Sequence, residues 1–201
     1  MDSLIAIADR GGARTQRLFQ DAFNPRSFAL YGKLGFEPKE VVAYAVCDPG
    51  APRRAPAPRP GVALRELDLD HLDDLGRFDR KLSGADRRAD FDLILRSGGG
   101  WGLFAGADLR AFLLYREGAS RVALAPAAAA SDPADLVTLV AFAASRFPDR
   151  ALSARLPTAP PDLLRPLLQM GFRIDHLGNL MVRGPEPRSG FHLHSMFPES
   201  L

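Results

Sequence analysis

The sequence is poor in features that mark several common classes of protein. It contains one cysteine, Cys47, among 201 residues, so no disulfide can form within a single chain. The run Val41–Cys47 is apolar and strand-like, which favours a buried small side chain over a nucleophile. A single cysteine of this kind fits a protein of the reducing cytoplasm.

Long apolar runs are also missing. The longest, Leu136–Ala144, has about half of the roughly 20 residues that a membrane-spanning helix needs. The first ten residues, Met1–Arg10, carry an acid at position 2 and an apolar stretch too short for a signal peptide. We therefore expect a cytoplasmic protein without a membrane partner.

Lysine is scarce: only Lys33, Lys39 and Lys81 occur among 26 basic residues, and the formal net charge is +2. Basic and acidic residues alternate along the chain, so no basic stripe with interleaved aromatic residues is formed. The sequence therefore predicts that nucleic acid is not a partner.

One pattern occurs twice. The segment Asn24–Phe36 near the start and the segment Pro160–Phe172 near the end both describe a helix followed by Gly-Phe. Subtracting Gly35 from Gly171 gives a period of 136 residues, which is about the size of one domain. Each copy follows a strand-like run, and in each the glycine is placed to stop the helix in a left-handed conformation. A duplicated unit is predicted, with a first copy reduced to its C-terminal part.

A proline-rich segment separates the two copies. Five prolines fall between Asp48 and Gly61, a composition that cannot continue a helix or a central strand. The predicted domains are 1–47, a C-terminal remnant of a first domain; 48–61, a linker; 62–184, a complete second domain; and 185–201, a tail.

The second domain shows a regular series of elements. Apolar periodicity and turn residues predict the order β α α β β β α β α β β. The last two strands are expected at Phe172–His176 and Leu180–Arg183, and Ser97–Gly102 is expected to be a flexible turn. The predicted fold class is α/β, with a mixed sheet and helices on both faces, preceded by a partial second copy of the same fold.

The element order and the run Asn-x-x-Ser-x-x-Leu-Tyr-x-Lys-Leu-Gly-Phe at Asn24–Phe36 resemble the GNAT acetyltransferase superfamily, and the paired units resemble its tandem-domain members. The resemblance implies that acetyl-CoA lies between two splayed central strands, with its pyrophosphate on backbone amides where the third helix begins. It also implies that an amine attacks the thioester directly, that a β-bulge amide polarises the carbonyl, and that a tyrosine protonates the leaving thiolate.

The resemblance carries over residue by residue. Tyr31 occupies the position of the general acid, Asn24 that of the asparagine that contacts the pantetheine arm, and Ser27 lies in the same motif. In the second copy Leu167 stands in place of the tyrosine and Pro160 in place of the asparagine. The candidate phosphate loop of the second copy consists of small residues: Ala128, Ala129, Ala130 and Ser131. It is followed by Asp132, whose negative charge opposes the binding of an anion.

These residues lead to two hypotheses of different class. The first is an N-acetyltransferase that moves acetyl from acetyl-CoA to a primary amine of a small molecule or peptide, with no metal cofactor. The alternative is a non-catalytic ligand-binding or docking module that keeps the fold. A start site placed too late in the sequence would leave the first domain incomplete, and the exposed apolar residues of that remnant would then favour packing against the second domain or a homodimer.

His192 and His194 lie on one side of an extended stretch, as metal ligands can. Since no further histidine or cysteine is near in sequence, we expect them to belong to a solvated tail.

Overall fold

The chain folds around one large mixed β-sheet. The computed structural model describes residues 2–51, 59–159, 161–186 and 189–194, so residues 52–58 of the predicted linker and much of the predicted tail lie outside the described residues. Within the described ranges the helices are α1 (Asp2–Arg10), α2 (Pro25–Lys33), α3 (Leu72–Ser83), α4 (Arg88–Ser97), α5 (Pro133–Arg146) and α6 (Pro161–Gln169), and a 3-10 turn, Leu69–His71, precedes α3. The strands are β1 (Gln16–Asp21), β2 (Glu37–Cys47), β3 (Ala63–Leu67), β4 (Gly99–Ala105), β5 (Asp108–Glu117), β6 (Arg121–Ala129), β7 (Ala151–Pro157), β8 (Phe172–Arg183) and β9 (Phe191–Leu193).

The two ends of the chain are interleaved in this sheet. The strand order is β1-β8-β2-β7-β6-β5-β4-β3, with β9 paired to β6. Strand β8 therefore lies between β1 and β2, and β2 lies between β8 and β7. The N-terminal strands are part of the same sheet as the rest of the chain.

Helices cover both faces of the sheet, as the sequence predicts. On one face α5 and α6 pack into a large apolar cluster that includes Leu136, Leu163 and Leu167. On the other face α3 and α4 pack through Leu75 and Phe91 against a second cluster. Burial of these leucine and phenylalanine side chains contributes about 1.5–3 kcal/mol each. The predicted mixed α/β fold is confirmed.

Two strand-helix-strand units within the sheet share one geometry. We call β1-α2-β2 the N-terminal βαβ segment and β7-α6-β8 the C-terminal βαβ segment. Strand β1 pairs with β8 in six antiparallel pairs, from Gln16↔Arg183 to Asp21↔Gly178. Adding 136 to the first position of each pair and subtracting 136 from the second gives the six pairs of β7 with β2, from Leu152↔Cys47 to Pro157↔Val42. The segments are thus related by a pseudo-two-fold rotation that preserves register.

The helix ends obey the same relation. The amide of Leu34 donates to the carbonyl of Leu30 at 3.2 Å, and the amide of Met170 donates to the carbonyl of Pro166 at 3.0 Å. The next residues, Gly35 and Gly171, have φ of 85° and 94°. Because a side chain rarely adopts positive φ, glycine ends both helices at the same point.

The relation extends to the preceding helix. Adding 136 to the bounds of α1 gives positions 138–146, which are the last 9 of the 14 residues of α5, and both helices end at an arginine, Arg10 and Arg146. Helix α1 is held by Asp9, whose carboxylate accepts hydrogen bonds from Arg183 and Gln16, both at 2.8 Å.

Three local expectations are wrong. The two strands predicted at the end of the second unit form one strand, β8, because it pairs continuously with β1 and β2. The tail contains strand β9. Of the predicted turn, residues 99–102 are instead buried in β4, where a Cβ on Gly99 would lie 2.7 Å from the Tyr115 hydroxyl and one on Gly100 would lie 3.0 Å from the Leu113 carbonyl.

Two further sequence-based expectations concern Cys47 and the membrane. Cys47 is buried, as predicted. Among the described residues, every helix is too short or too polar to cross a bilayer.

Candidate functional site

A polar cluster lies where β1 ends and α2 begins. Asn24 caps α2: its side-chain Oδ1 accepts a hydrogen bond from the Ser27 amide at 3.2 Å. Asparagine followed by proline is a favoured helix start, since the cap supplies an acceptor and proline lacks the unused N–H.

Gln20 joins this cap to the sheet. Its side chain is 2% exposed, and Nε2 donates to the Asn24 carbonyl at 2.8 Å and to the Ser27 hydroxyl at 3.1 Å. Its Oε1 accepts from Asn179 Nδ2 at 2.8 Å. A buried amide needs such partners, because leaving it unpaired costs about 1–3 kcal/mol. Sequence analysis missed Gln20 and Asn179, which belong to separate strands and have no local motif.

Tyr31 lies two turns further along α2 from the cap. Its ring meets that of Phe36 edge to face, with centroids 6.2 Å apart, and the side chain is partly buried. Among the described residues, the Tyr31 hydroxyl makes no hydrogen bond. Asn24, Ser27 and Tyr31 therefore belong to one helix, as predicted, with Asn24 as its cap.

The C-terminal βαβ segment has apolar residues at the matching positions. Gln20 corresponds to Leu156, Ser27 to Leu163 and Tyr31 to Leu167, and all three leucines are 0% exposed. Asn179 corresponds to Ala43, which is also 0% exposed. The counterpart of Asn24, Pro160, lies outside the described residues. A polar cluster on one segment is a closed apolar core on the other.

The predicted phosphate loop begins inside β6. Strands β6 and β7 run parallel and pair only at Arg121–Ala123 with Ala151–Ser153, after which they diverge. Strand β9 fills the gap: Leu193, His192 and Phe191 pair with Ala127, Ala128 and Ala129, and His194 bridges to Arg155 of β7.

This closure corrects the expectation of a solvated histidine tail. His192 and His194 are each 9% exposed. His194 Nε2 lies 2.8 Å from a Glu40 carboxylate oxygen. The pairing partners are distant in sequence, so no local pattern announces the strand.

An ionic cluster occupies the start of α5. Asp132 caps the helix, accepting from the Ala134 amide at 2.8 Å, and Asp135 is 2% exposed. Arg59 donates hydrogen bonds to both carboxylates. The nearby negative charges, first that of Asp135 and then that of Asp132, raise the pKa of the Arg59 guanidinium. Arg110 lies 3.8 Å from Asp135. Helix N-termini favour anions, but here protein carboxylates already occupy that place.

The residues predicted to cradle phosphate are largely engaged. Ala128 and Ala129 are 0% exposed and lie between β5 and β9. The Ala130 amide donates to the Arg110 carbonyl at 3.1 Å, and the Ser131 hydroxyl accepts from Arg110 at 3.4 Å. Strand β6 is separated by β7 from β2, which follows α2, so this loop and the α2 cluster form two separate places in the sheet.

Strand β6 also contains a bulge. Between the pairs Leu113↔Ala127 and Tyr115↔Leu124, two residues of β6, Ala125 and Pro126, face one residue of β5. Pro126 has no N–H to offer to a ligand carbonyl. In the residues that the structure describes, no group of three His, Cys, Asp or Glu side chains could hold a metal ion.

Comparisons with known proteins bear on the fold. No protein-family profile and no curated protein matches the chain. Solved structures do match. A Pyrococcus horikoshii protein assigned as an acetyltransferase superposes with a TM-score of 0.69 at 16% identity, over 94% of this chain and 60% of that one.

A GCN5-related N-acetyltransferase from Sphaerobacter thermophilus gives a TM-score of 0.57 at 16% identity, over 88% of this chain and 61% of that one. One from Anabaena variabilis gives 0.59 at 12% identity, over 90% and 48%. The chain has the GNAT fold. It spans about half to three fifths of the length of these GNAT structures, and at such identities the likeness concerns the fold alone.

Proposed function

We propose that this chain is part of an N-acetyltransferase that moves acetyl from acetyl-CoA to a primary amine. In this proposal residues 1–47 are the C-terminal part of a first GNAT domain and residues 62–184 are a second one, joined by 48–61 and followed by the tail 185–201. The amine acceptor is a small molecule or peptide.

One observation carries the proposal: two βαβ segments of the same register differ in that only the N-terminal one keeps polar groups at its centre. Tyr31 has a hydroxyl free of described hydrogen bonds, and the buried amide of Gln20 orders the helix start that bears Asn24 and Ser27. A buried polar group is tolerated where it is hydrogen-bonded, as Gln20 is.

The chemistry assigned to these residues is limited. The neutral amine attacks the carbonyl carbon of the donor thioester, so that an N–C bond forms and the C–S bond breaks. Tyr31 gives its proton to the thiolate that leaves, and the proton that the nitrogen loses as it becomes an amide returns through solvent to the Tyr31 phenolate. Asn24 and Ser27 orient the amide-bearing arm of the donor. Acetyl-CoA supplies the activated acyl group. A contact between its pyrophosphate and the small residues Ala128–Ser131 is a further prediction. The carboxylates of Asp132 and Asp135 oppose that last contact.

A non-catalytic role is the second candidate, favoured by the C-terminal half. There the cleft between β6 and β7 is filled by β9, and the α6 positions are leucines. In this candidate the second domain keeps the fold but not the chemistry and is a scaffold for ligand binding or docking.

Release of CoA thiol in the presence of acetyl-CoA and a panel of primary amines tests the choice. We expect turnover that falls by about 100-fold or more in Tyr31→Phe, the range of general acid catalysis. Tyr115→Phe, which removes a phenol from another part of the sheet, is the matched control and should keep the wild-type rate.

Two results decide against the first candidate. Equal rates for wild type and Tyr31→Phe would make the acid assignment wrong. No turnover with any amine, together with no change in melting temperature at millimolar acetyl-CoA, would favour the scaffold role.

A further inference from the structure

A second surface, separate from the polar cluster, is left open by the fold. We define the β1–α1 surface as the outer edge of β1 together with Leu4 and Ile7 of α1. Strand β1 is the last strand of the sheet path, and among the described residues none pairs with its outer edge. Leu4 and Ile7 are 64% and 57% exposed.

The counterparts of this surface are covered. Strand β7, which corresponds to β1, is paired on both edges, with β2 on one side and with Arg121–Ala123 of β6 on the other. Val140 and Ala143 of α5 correspond to Leu4 and Ile7, and both are 0% exposed within the cluster formed with β4–β6. Equivalent positions are thus buried in one half and open in the other.

The edge also lacks the usual protection. Exposed edge strands are normally guarded by lysine, proline or a bulge, because unpaired backbone groups recruit other strands. The sequence of Gln16–Asp21 contains neither lysine nor proline, and its pairing with β8 has no register shift. Its one arginine, Arg17, is turned to Glu186 at 2.8 Å.

We propose that the β1–α1 surface docks a polypeptide with an apolar β-sheet, whose edge strand runs parallel to β1 opposite Thr15–Arg17. The face of that sheet packs beneath Leu4 and Ile7. The partner's sheet has the apolar character of β4–β6. Those strands cover β7 and α5, which the pseudo-two-fold relates to β1 and α1. This interface goes beyond the proposed function, and it depends on pairing geometry rather than on Tyr31.

A fusion protein supplies a defined probe. Residues 62–137 of this chain, which contain β3–β6, are placed ahead of residue 2 of the full chain, so that Val137 joins Asp2 as it joins Thr138 in the native sequence. Amide hydrogen exchange at Thr15–Arg17 is then compared with the native chain. We expect exchange in the fusion to slow by about tenfold or more, and the fusion to sediment as a monomer.

Leu4→Asp with Ile7→Asp in the fusion is the matched variant, and it should restore rapid exchange at Thr15–Arg17. Unchanged exchange in the parent fusion would overturn the proposal, whether the added segment folds or stays unfolded, since the identical segment folds against β7 and α5. A native chain that sediments as a dimer with these amides already protected would also overturn it, in favour of a second copy.

Discussion

The N-terminal and C-terminal βαβ segments pair their strands in the same register, but the side chains at their centres differ. Six pairs of β1 with β8 map onto six pairs of β7 with β2. Gln20 and Tyr31 are matched by Leu156 and Leu167. The comparison teaches that the same register is compatible with two helices of different burial, since α6 buries Leu163 and Leu167 whereas α2 has no buried residue and covers the buried amide of Gln20.

The difference also separates two kinds of stability. An apolar centre gains from burial alone, while a polar centre only breaks even when each donor and acceptor is paired. Keeping the more demanding arrangement in one segment points to a use for it. The predictions below test this contrast, from the largest expected effect to the smallest.

The strongest test removes the central side chain of each helix. Leu167→Ala in α6 leaves a cavity in a fully buried site and should cost about 2–5 kcal/mol of unfolding free energy. Tyr31→Ala in α2, at a partly exposed site, should cost about 1 kcal/mol. Urea denaturation measures both, and equal losses would contradict the contrast between the two centres.

The next test concerns β9, which closes the cleft beside the C-terminal segment. Gly190 has φ of 72°, and a Cβ there would lie 2.5 Å from the Ala129 carbonyl oxygen. Gly190→Ala should cost about 2 kcal/mol through strain and overpacking. Gly12→Ala is the control, since φ is 76° but nothing lies within 4 Å of the new Cβ.

The two glycine variants are compared by thermal unfolding and by amide exchange at Ala127–Ala129. We expect Gly190→Ala alone to accelerate that exchange. If both variants behave alike, the close approach of the tail to β6 does not matter for stability.

A smaller effect is expected when the polar centre of the N-terminal βαβ segment is changed toward the apolar centre of the C-terminal one. Gln20→Leu leaves the Asn179 amide without its partner and should cost about 1–2 kcal/mol. Adding Asn179→Ala, which reproduces the Leu156 and Ala43 pair, should recover about 1 kcal/mol, a coupling that a double-mutant cycle measures. Additive losses would show that the polar pair acts independently.

The smallest effect concerns Tyr115, a tyrosine of the second half. Tyr115 lines a pocket of about 310 Å³ with Trp101 and Phe147. Burial, reinforced by Glu117 and Glu66, raises the pKa of the Tyr115 phenol. The folded state thus favours the neutral phenol, so this contribution to stability is present below about pH 10, the unperturbed value, and is lost as pH rises through the folded pKa.

Unfolding free energies measured between pH 8 and 11.5 test the sign. Tyr115→Phe should flatten part of the alkaline loss. An alkaline loss that is unchanged in Tyr115→Phe would contradict this assignment.

Much of the fold could be predicted because its signals are local. The cap at Asn24 and the stop at Gly35 set the bounds of α2, and the repeat of the stop at Gly171 sets the end of α6. Strand β9 could not be predicted, since three residues acquire a partner only through a cleft formed by β6 and β7.

The candidate site, like the fold, could be predicted only where its residues are close in sequence. Asn24, Ser27 and Tyr31 share one helix and one motif, so the sequence places them together. Gln20, Asn179 and the Arg59–Asp135 ion pair join residues distant in sequence and leave no periodic mark. Non-local pairing of this kind is decided by the assembled sheet.

The position of β2 between β7 and β8 has a consequence for biosynthesis. Cys47 pairs with Leu152, 105 positions later, so β2 leaves the ribosome long before either neighbour exists. Contacts between residues so far apart in sequence slow folding. The segment that forms β2 therefore stays without its two partner strands until the last third of the chain has been synthesised. For the same reason, a protease cut between residues 51 and 59 should yield two fragments that copurify until denaturant is added.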